Sequence, residues 1–302
     1  VKYPLTISYI TGREEPKLHW FLDSLGKQIQ PGEDVKVVVV DFFGRSGQIY
    51  ADWVKVVAPK PTVWQGPHRL TKDNWWSASN SRNSSICLCR TPWIAFLDDR
   101  SILTPSWLQS IRHAMDENYA VFGAYEKVTN LVVENGFPIS MDVQPNGSGK
   151  DPRETHVKKE NLGNPFKMGG EWAFGCNLAL PLEWALNVGG YDETCDGLSM
   201  EDCIFGLMLQ NRGYDLRYDT RMKILEDRTP SALGTPMIRR DKGVSPNDKS
   251  HALLAMLKDR KTAMHGFDIR EVRRKKLAGE PWPAPWGPEK DWYDGQPVSE
   301  MI

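Results

Sequence analysis

At 302 residues, 40% hydrophobic and 25% charged, the chain is long enough to bury a large core, which excludes a peptide or a disulfide mini-scaffold. Thirty-eight Lys and Arg against 39 Asp and Glu leave a net charge of −1, so no global field favours nucleic acid, an anionic membrane or a basic partner. The balance is uneven: residues 221–280 carry 15 Lys and Arg against 8 Asp and Glu, and an anionic partner is expected to meet that segment. Five scattered cysteines with no CxxC pair point to neither a disulfide framework nor a thiolate zinc site, and so to a reducing compartment. No apolar run approaches the roughly 18–20 residues of a membrane span, and the first dozen residues lack signal-peptide order. A cytoplasmic location is the expectation.

Leu5 to Ile10 reads as a strand, with Thr11-Gly12-Arg13 turning after it. Leu18, Phe21, Leu22 and Leu25 then mark one face of a helix. Val35 to Val40 is a β-branched run with no polar face, the pattern of a strand buried on both sides, and it ends at Asp41. Trp53 to Ala58 is a shorter strand, and Trp75 to Leu88 a helix with Asp73 or Asn74 as N-cap. Trp93 to Leu97 is again uniformly apolar and stops at Asp98-Asp99; a helix from Pro105 and a strand over Ala120 to Ala124 follow. This alternation predicts an α/β fold with a mostly parallel sheet flanked by helices. Ligands of such sheets bind beyond the carboxyl ends of the strands, so Asp41 and Asp98-Asp99 are expected along one edge of one cleft.

Residues 137–170 change texture to Pro, Gly, Asn, Ser and mixed charge, which reads as a mobile lid. Glu183 to Val188 is a short helix closed by Gly189-Gly190, and Met200 to Asn211 a helix with Glu201-Asp202 in its first turn, where the helix dipole favours carboxylates. Two short strands, Leu216 to Tyr218 and Met222 to Leu225, lead into a basic helical stretch over Ser250 to Leu277 and a Trp/Pro tail. The organisation expected is 1–125 as a first half, 126–228 as a second half with the lid, and 229–302 as a basic helical extension.

The strongest chemical element is Ile94-Ala95-Phe96-Leu97-Asp98-Asp99-Arg100, a strand ending in adjacent carboxylates. Such a pair is easiest to maintain when a divalent cation or hydroxyl donors neutralise it, magnesium or manganese suiting all-oxygen ligands; a solvated turn capping the next helix is the plainer alternative.

The order of the pieces is more specific than any one of them. Leu5 to Tyr9 with Arg13, Val37 to Asp41, Ser81-Arg82-Asn83, Phe96 to Asp99, then Gly189-Gly190-Tyr191-Asp192-Glu193 and Met200-Glu201-Asp202 resemble the family 2 glycosyltransferases of GT-A fold over about residues 3–228. The resemblance implies an inverting, metal-dependent transfer from a nucleotide-diphosphate sugar, UDP-linked, to an acceptor hydroxyl. It assigns Asp41 to the base and Asp98 to the ribose, with Thr11, Arg13, Arg82 and Asn83 also at the nucleotide sugar. Residues 1–125 become the donor half and 126–228 the acceptor half. Asp99 matches the acid that holds a manganese or magnesium ion on the diphosphate. Asp202 matches the catalytic base, with Glu201 as alternative base or acceptor orienter.

Two departures stand out. Arg100 replaces a third acid, and no His follows the strand after the Glu-Asp helix, where Asp227, or less directly His251, is the substitute metal ligand. Trp172 and Glu171, at the end of the lid, are the expected acceptor-side residues; Trp75 and Trp76 are further sugar-stacking candidates. Acceptor identity stays open among glycan, lipid phosphate, protein and modified DNA, as does the oligomeric state. The rival readings are a sugar nucleotidyltransferase and a catalytically silent relative that binds carbohydrate or nucleic acid.

Overall fold

The computed structural model describes residues 2–43, 45, 51–62, 78–195, 200–229, 255 and 257–283. Its centre is a ten-stranded sheet. Strands β1 (Lys2–Thr11), β2 (Glu33–Asp41), β3 (Val54–Val57) and β4 (Trp93–Asp98) are parallel in the order β3-β2-β1-β4. The second half adds β6 (Ala120–Glu134) parallel to β10 (Leu216–Asp227), and the halves are joined by β9 (Asn177–Pro181), antiparallel to both β4 and β6. Short β5 (Ser101–Leu103) and β8 (Phe166–Lys167) run antiparallel to β10, and β7 (Phe137–Val143) to β6. The mostly parallel α/β fold expected from sequence is therefore the one found. Where two short strands are read at 216–225 there is one strand, broken by a register shift between Asp219 and Ile224.

Side chains alternate across the sheet, so each strand feeds two cores. Ile94 and Phe96 of β4 join Phe122, Leu178, Tyr191, Phe205 and Met208 on one face, under α2 (Ala78–Leu88), α4 (Leu182–Asn187), α5 (Glu201–Asn211) and α6 (Ile269–Leu277). Trp93, Ala95 and Leu97 join Ile7, Phe21, Val37, Val39 and Ile111 on the other, under α1 (Leu18–Gly26) and α3 (Trp107–Glu117). In α1 the buried Leu18, Phe21 and Leu25 recur at i, i+3 and i+7, as a packed helical stripe requires.

Helix α2 breaks that rule. Ser79 to Ser85 are all polar and all buried. A helix of this composition stays buried only if its side chains find partners. Ser85 Oγ accepts from Ser8 Oγ at 2.7 Å, and Ser84 Oγ accepts from Lys60 N at 2.9 Å. Of the same run, Arg82 faces the cleft acids Asp98 and Glu201, and Asn83 bonds Tyr191 and Glu193.

Residues 137–170 carry more regular structure than their composition suggests. Strand β7 extends the sheet through β6, and Arg153 is fully buried. Arg153 pairs with Asp151 at 2.7 Å, donates to Gly123 O at 2.7 Å and Trp172 O at 2.9 Å, and lies over the rings of Phe174 and Tyr218. A buried charge this fully satisfied rivets the insertion to the sheet. The basic stretch is likewise not one helix: α6 begins only at Ile269, and residues 258–268 are turns and irregular structure. Among the described residues no helix is long and apolar enough to cross a membrane.

Candidate active site

The carboxyl ends of β1, β2 and β4 are adjacent. Thr11 lies opposite Asp41 and Ile10 opposite Asp98, so the two acids flank the end of β1 with Cα atoms about 10 Å apart, two strand spacings. Asp41 is buried and accepts from Phe43 N at 3.0 Å and from Arg45 Nε at 2.6 Å and Nη2 at 2.9 Å. Arg45 reaches on to Arg13 O at 2.7 Å and to Glu14 O, tying the turn after β1 to the end of β2. Beside it opens a cavity of about 440 Å³ lined by Thr11, Pro16, Lys17, His19, Val39 and Asp41.

Asp98 and Asp99 part company at the strand end. Asp99 is buried, and its oxygens accept from Thr11 Oγ1 at 2.6 Å and Arg13 Nε at 3.0 Å. Burial raises its pKa, while Arg13 and Thr11 pull the other way. Asp98 keeps 30% of its side chain exposed and accepts from Arg82 Nη2 at 2.9 Å.

Arg82 connects the two halves of the site. Its Nη1 donates to Glu201 Oε1 at 3.1 Å, so one buried guanidinium holds Asp98 of β4 and Glu201 of α5 together. It lies over the Tyr191 ring and against Gly175, where a Cβ would come within 2.5 Å of Cζ. Beside Glu201, Asp202 accepts from Gly175 N at 3.1 Å and from its own helix at Cys203 N, 2.8 Å. Burial and the neighbouring Asp202 push the Glu201 carboxyl up to about 7 against the pull of Arg82.

Asn83 is directed away from the cleft. Its amide donates to Tyr191 O at 2.8 Å and Glu193 Oε1 at 2.9 Å and accepts from Tyr191 N at 2.8 Å, so its polar atoms are engaged by the 191–193 turn. Glu193 also pairs with Lys60 at 2.5 Å, and Asp192 accepts from Thr194 and from Met264 N. The acids of the Gly-Gly-Tyr-Asp-Glu turn are thus structural, fixing the chain that leads toward Glu201 and Asp202.

The residues expected to hold a metal do not converge. Asp99 is engaged by Thr11 and Arg13, while Asp227 is paired with Arg100 and accepts from Thr229 N at 3.1 Å. Arg100 also donates to Glu15 O at 3.1 Å, so this departure from the family pattern is a strap between β10 and the turn after β1. Among the described residues no three His, Cys, Asp or Glu surround a common point, and Asp99 with Asp227 does not fit a divalent ion. His251, Trp75 and Trp76 lie outside the described residues.

A carboxylate that sequence reading passes over stands next to this edge. Glu226 is buried, Oε1 pairs with Arg228 at 2.6 Å and Oε2 has no hydrogen-bond partner among the described residues. Burial, with the charges of Asp98 and Asp99, pushes its carboxyl up to about 7 despite Arg228. The alternation of a strand offered a signal: of Glu226-Asp227, only one can share a face with the cleft acids.

On the far side of α5, the turn Gly169 to Trp172 packs against the helix so closely that a Cβ on Gly170 would lie 2.2 Å from Gly206 O. Trp172 is half-buried, its ring 4.9 Å from that of His156, while Glu171 is exposed. The basic residues of α6 are largely engaged: Arg270 with Glu183, Arg274 with Glu271, and Arg273 with Cys89 O at 2.8 Å. Lys276 lies over Trp282, which packs on the core.

The model of the glycosyl transferase family 2 matches residues 10–179, more than half of the chain and the stretch that carries Asp41, Arg82, Asp98 and Asp99. The chain belongs to this family. Among solved structures, GalNAc-T7 with UDP, GalNAc and Mn2+ superimposes with a TM-score of 0.58 at 13% identity, over 93% of this chain and 59% of that one. S. aureus TarS 1–349 in complex with UDP-GlcNAc gives 0.54 at 16% identity, over 84% and 66%. Both similarities establish the GT-A fold, and the chain spans about three fifths to two thirds of the length of those relatives. No curated protein matches the sequence.

Proposed function

We propose that this family 2 member transfers a sugar from a UDP-linked donor to an acceptor hydroxyl with inversion, Asp202 taking the acceptor proton. The observation that carries the reading is the Arg82 bridge, which ties the donor-edge acid Asp98 to Glu201, the neighbour of Asp202. GalNAc-T7 binds UDP and TarS binds UDP-GlcNAc, and the Asp41 cavity is the nucleoside site in this reading.

Inversion needs one base: the acceptor oxygen attacks the anomeric carbon as the bond to the diphosphate breaks, and a carboxylate takes the hydroxyl proton. Asp202 is held in place by the Gly175 amide and by the Cys203 amide of its own helix. Glu201 is tied to Arg82 and orients rather than deprotonates. Arg13 and Arg82 bring the fixed positive charge to the donor edge.

The test is UDP release from a panel of UDP-sugars, with water as the default acceptor, on wild type and Asp202→Asn. Release should fall by about 10²–10⁴-fold while UDP affinity stays within a factor of two or so. Wild-type turnover in that variant would remove Asp202 as the base.

A further inference from the structure

We propose that the cavity lined by His156, Lys158, Asn161, Phe166, Lys167 and Trp172 is an acceptor subsite for a sugar ring that carries a phosphate or carboxylate. The inference rests on the transferase reading and supplies the acceptor class that reading leaves open. The cavity measures about 460 Å³, within the size range of small-molecule sites. Its remaining lining residues are Met168 and Gly169, and the Glu171 carboxylate lies against Gly169 at its margin.

Two features set its chemistry. Trp172 offers an indole whose backbone is fixed by Arg153 at 2.9 Å and whose ring is held edge-on to His156, a rigid platform for the C–H face of a sugar. Lys158 and Lys167 converge on the same space, and neither has a carboxylate within 4.0 Å among the described residues. Two unpaired ammonium groups beside an aromatic platform suit an oxyanion attached to a ring. The arginines of α6, by contrast, are already engaged by Glu183, Glu271 and Cys89 O.

The cavity is also coupled to the base. The segment that supplies Trp172 packs on α5 through Gly170 and Gly206, is bound to it by Gly170 N to Gln210 Oε1 at 2.6 Å, and three residues later gives the Gly175 amide to Asp202. An acceptor seated on Trp172 is therefore held on the element that positions the proton acceptor.

Saturation-transfer NMR with glucose 6-phosphate, glucuronate and glucose as probes, on the full chain, tests this. Both anionic probes should bind at least about tenfold tighter than glucose, equally well in Asp202→Asn. Whichever binds tighter tells whether phosphate or carboxylate is the preferred anion. In the Lys158→Gln/Lys167→Gln double variant, both of whose sites are exposed, anion binding should drop to the glucose level with UDP affinity and melting temperature unchanged. Equal binding of glucose and glucose 6-phosphate, or undiminished anion binding in the double variant, overturns the proposal. UDP binding and probe binding are read separately, so a chain that binds glucose 6-phosphate through these lysines but neither binds UDP nor releases it from UDP-sugars refutes the transferase reading while upholding the anionic-sugar site.

Discussion

Replacing Glu201 by Gln should stabilise the protein at alkaline pH and leave transfer largely intact. Glu201 lies 17% exposed beside Asp202, and its carboxyl is pushed from an ordinary 4.5 to about 7 by burial and that neighbour. The unfolded chain gives up this proton near pH 4.5 and the folded chain near 7, so between those values the folded state holds the extra proton and stability falls as pH rises. At 1.36 kcal/mol per pKa unit, the full penalty above pH 7 is about 3 kcal/mol, of which about 2 kcal/mol develops between pH 5 and pH 8. The amide of Gln still accepts from Arg82 and carries no charge to desolvate. Urea denaturation at pH 5 and pH 8 should show wild type losing about 2 kcal/mol more than the variant over that interval. Identical pH slopes would refute the assignment of the strain to Glu201. Loss of UDP release as complete as in Asp202→Asn would refute the division of labour between the two acids.

Arg82→Met leaves the Asp98 and Glu201 carboxylates without their shared partner, so it should cost about 3 kcal/mol in urea denaturation at pH 8 and less at pH 6, where Glu201 takes up its proton. An unchanged midpoint at pH 8 would mean that the bridge contributes nothing. Gly206→Ala places a Cβ 2.0 Å from Gly170 O, forcing α5 and the 170–172 turn apart; a loss of about 1–3 kcal/mol and weaker anionic-sugar binding are expected, measured by thermal denaturation and by NMR. Asp99→Asn should weaken UDP binding, read by calorimetry, because Arg13 loses the carboxylate that fixes it.

The parts of the fold visible in the sequence are those whose pattern is one-dimensional. Val35 to Val40 and Trp93 to Leu97 announce strands buried on both faces, and α1 and α3 show their stripes, so the parallel half and its row of acids followed directly. Strand β9 escaped because Asn177 to Pro181 is short and enters antiparallel between β4 and β6, a pairing set by the sheet rather than by its own composition. The order within residues 137–170 is hidden in the sequence for a related reason. One ion pair, Arg153 with Asp151, anchors a stretch whose apolar residues Phe137, Ile139, Met141, Val143 and Leu162 are exposed, and nothing in the spacing marks which Arg of the chain is buried.

The same limit governs the site. Adjacent acids in sequence need not share a face: Asp98 reaches Arg82 while Asp99 turns to Thr11 and Arg13, and Asp227 pairs with Arg100 while Glu226 lies with the charges of Asp98 and Asp99. Each dipeptide supplies one carboxylate to structure and leaves one for chemistry, because strand side chains alternate. Motif order identifies the family, but only the partner of each carboxylate says what remains to meet a ligand. The carboxylates around Arg82 are Asp98, Glu201 and Asp202, and the buried helix α2, polar from Ser79 to Ser85, places the guanidinium between the first two. A polar helix inside a core has no stability rationale of its own, and in this chain the reason for it is the position of one guanidinium.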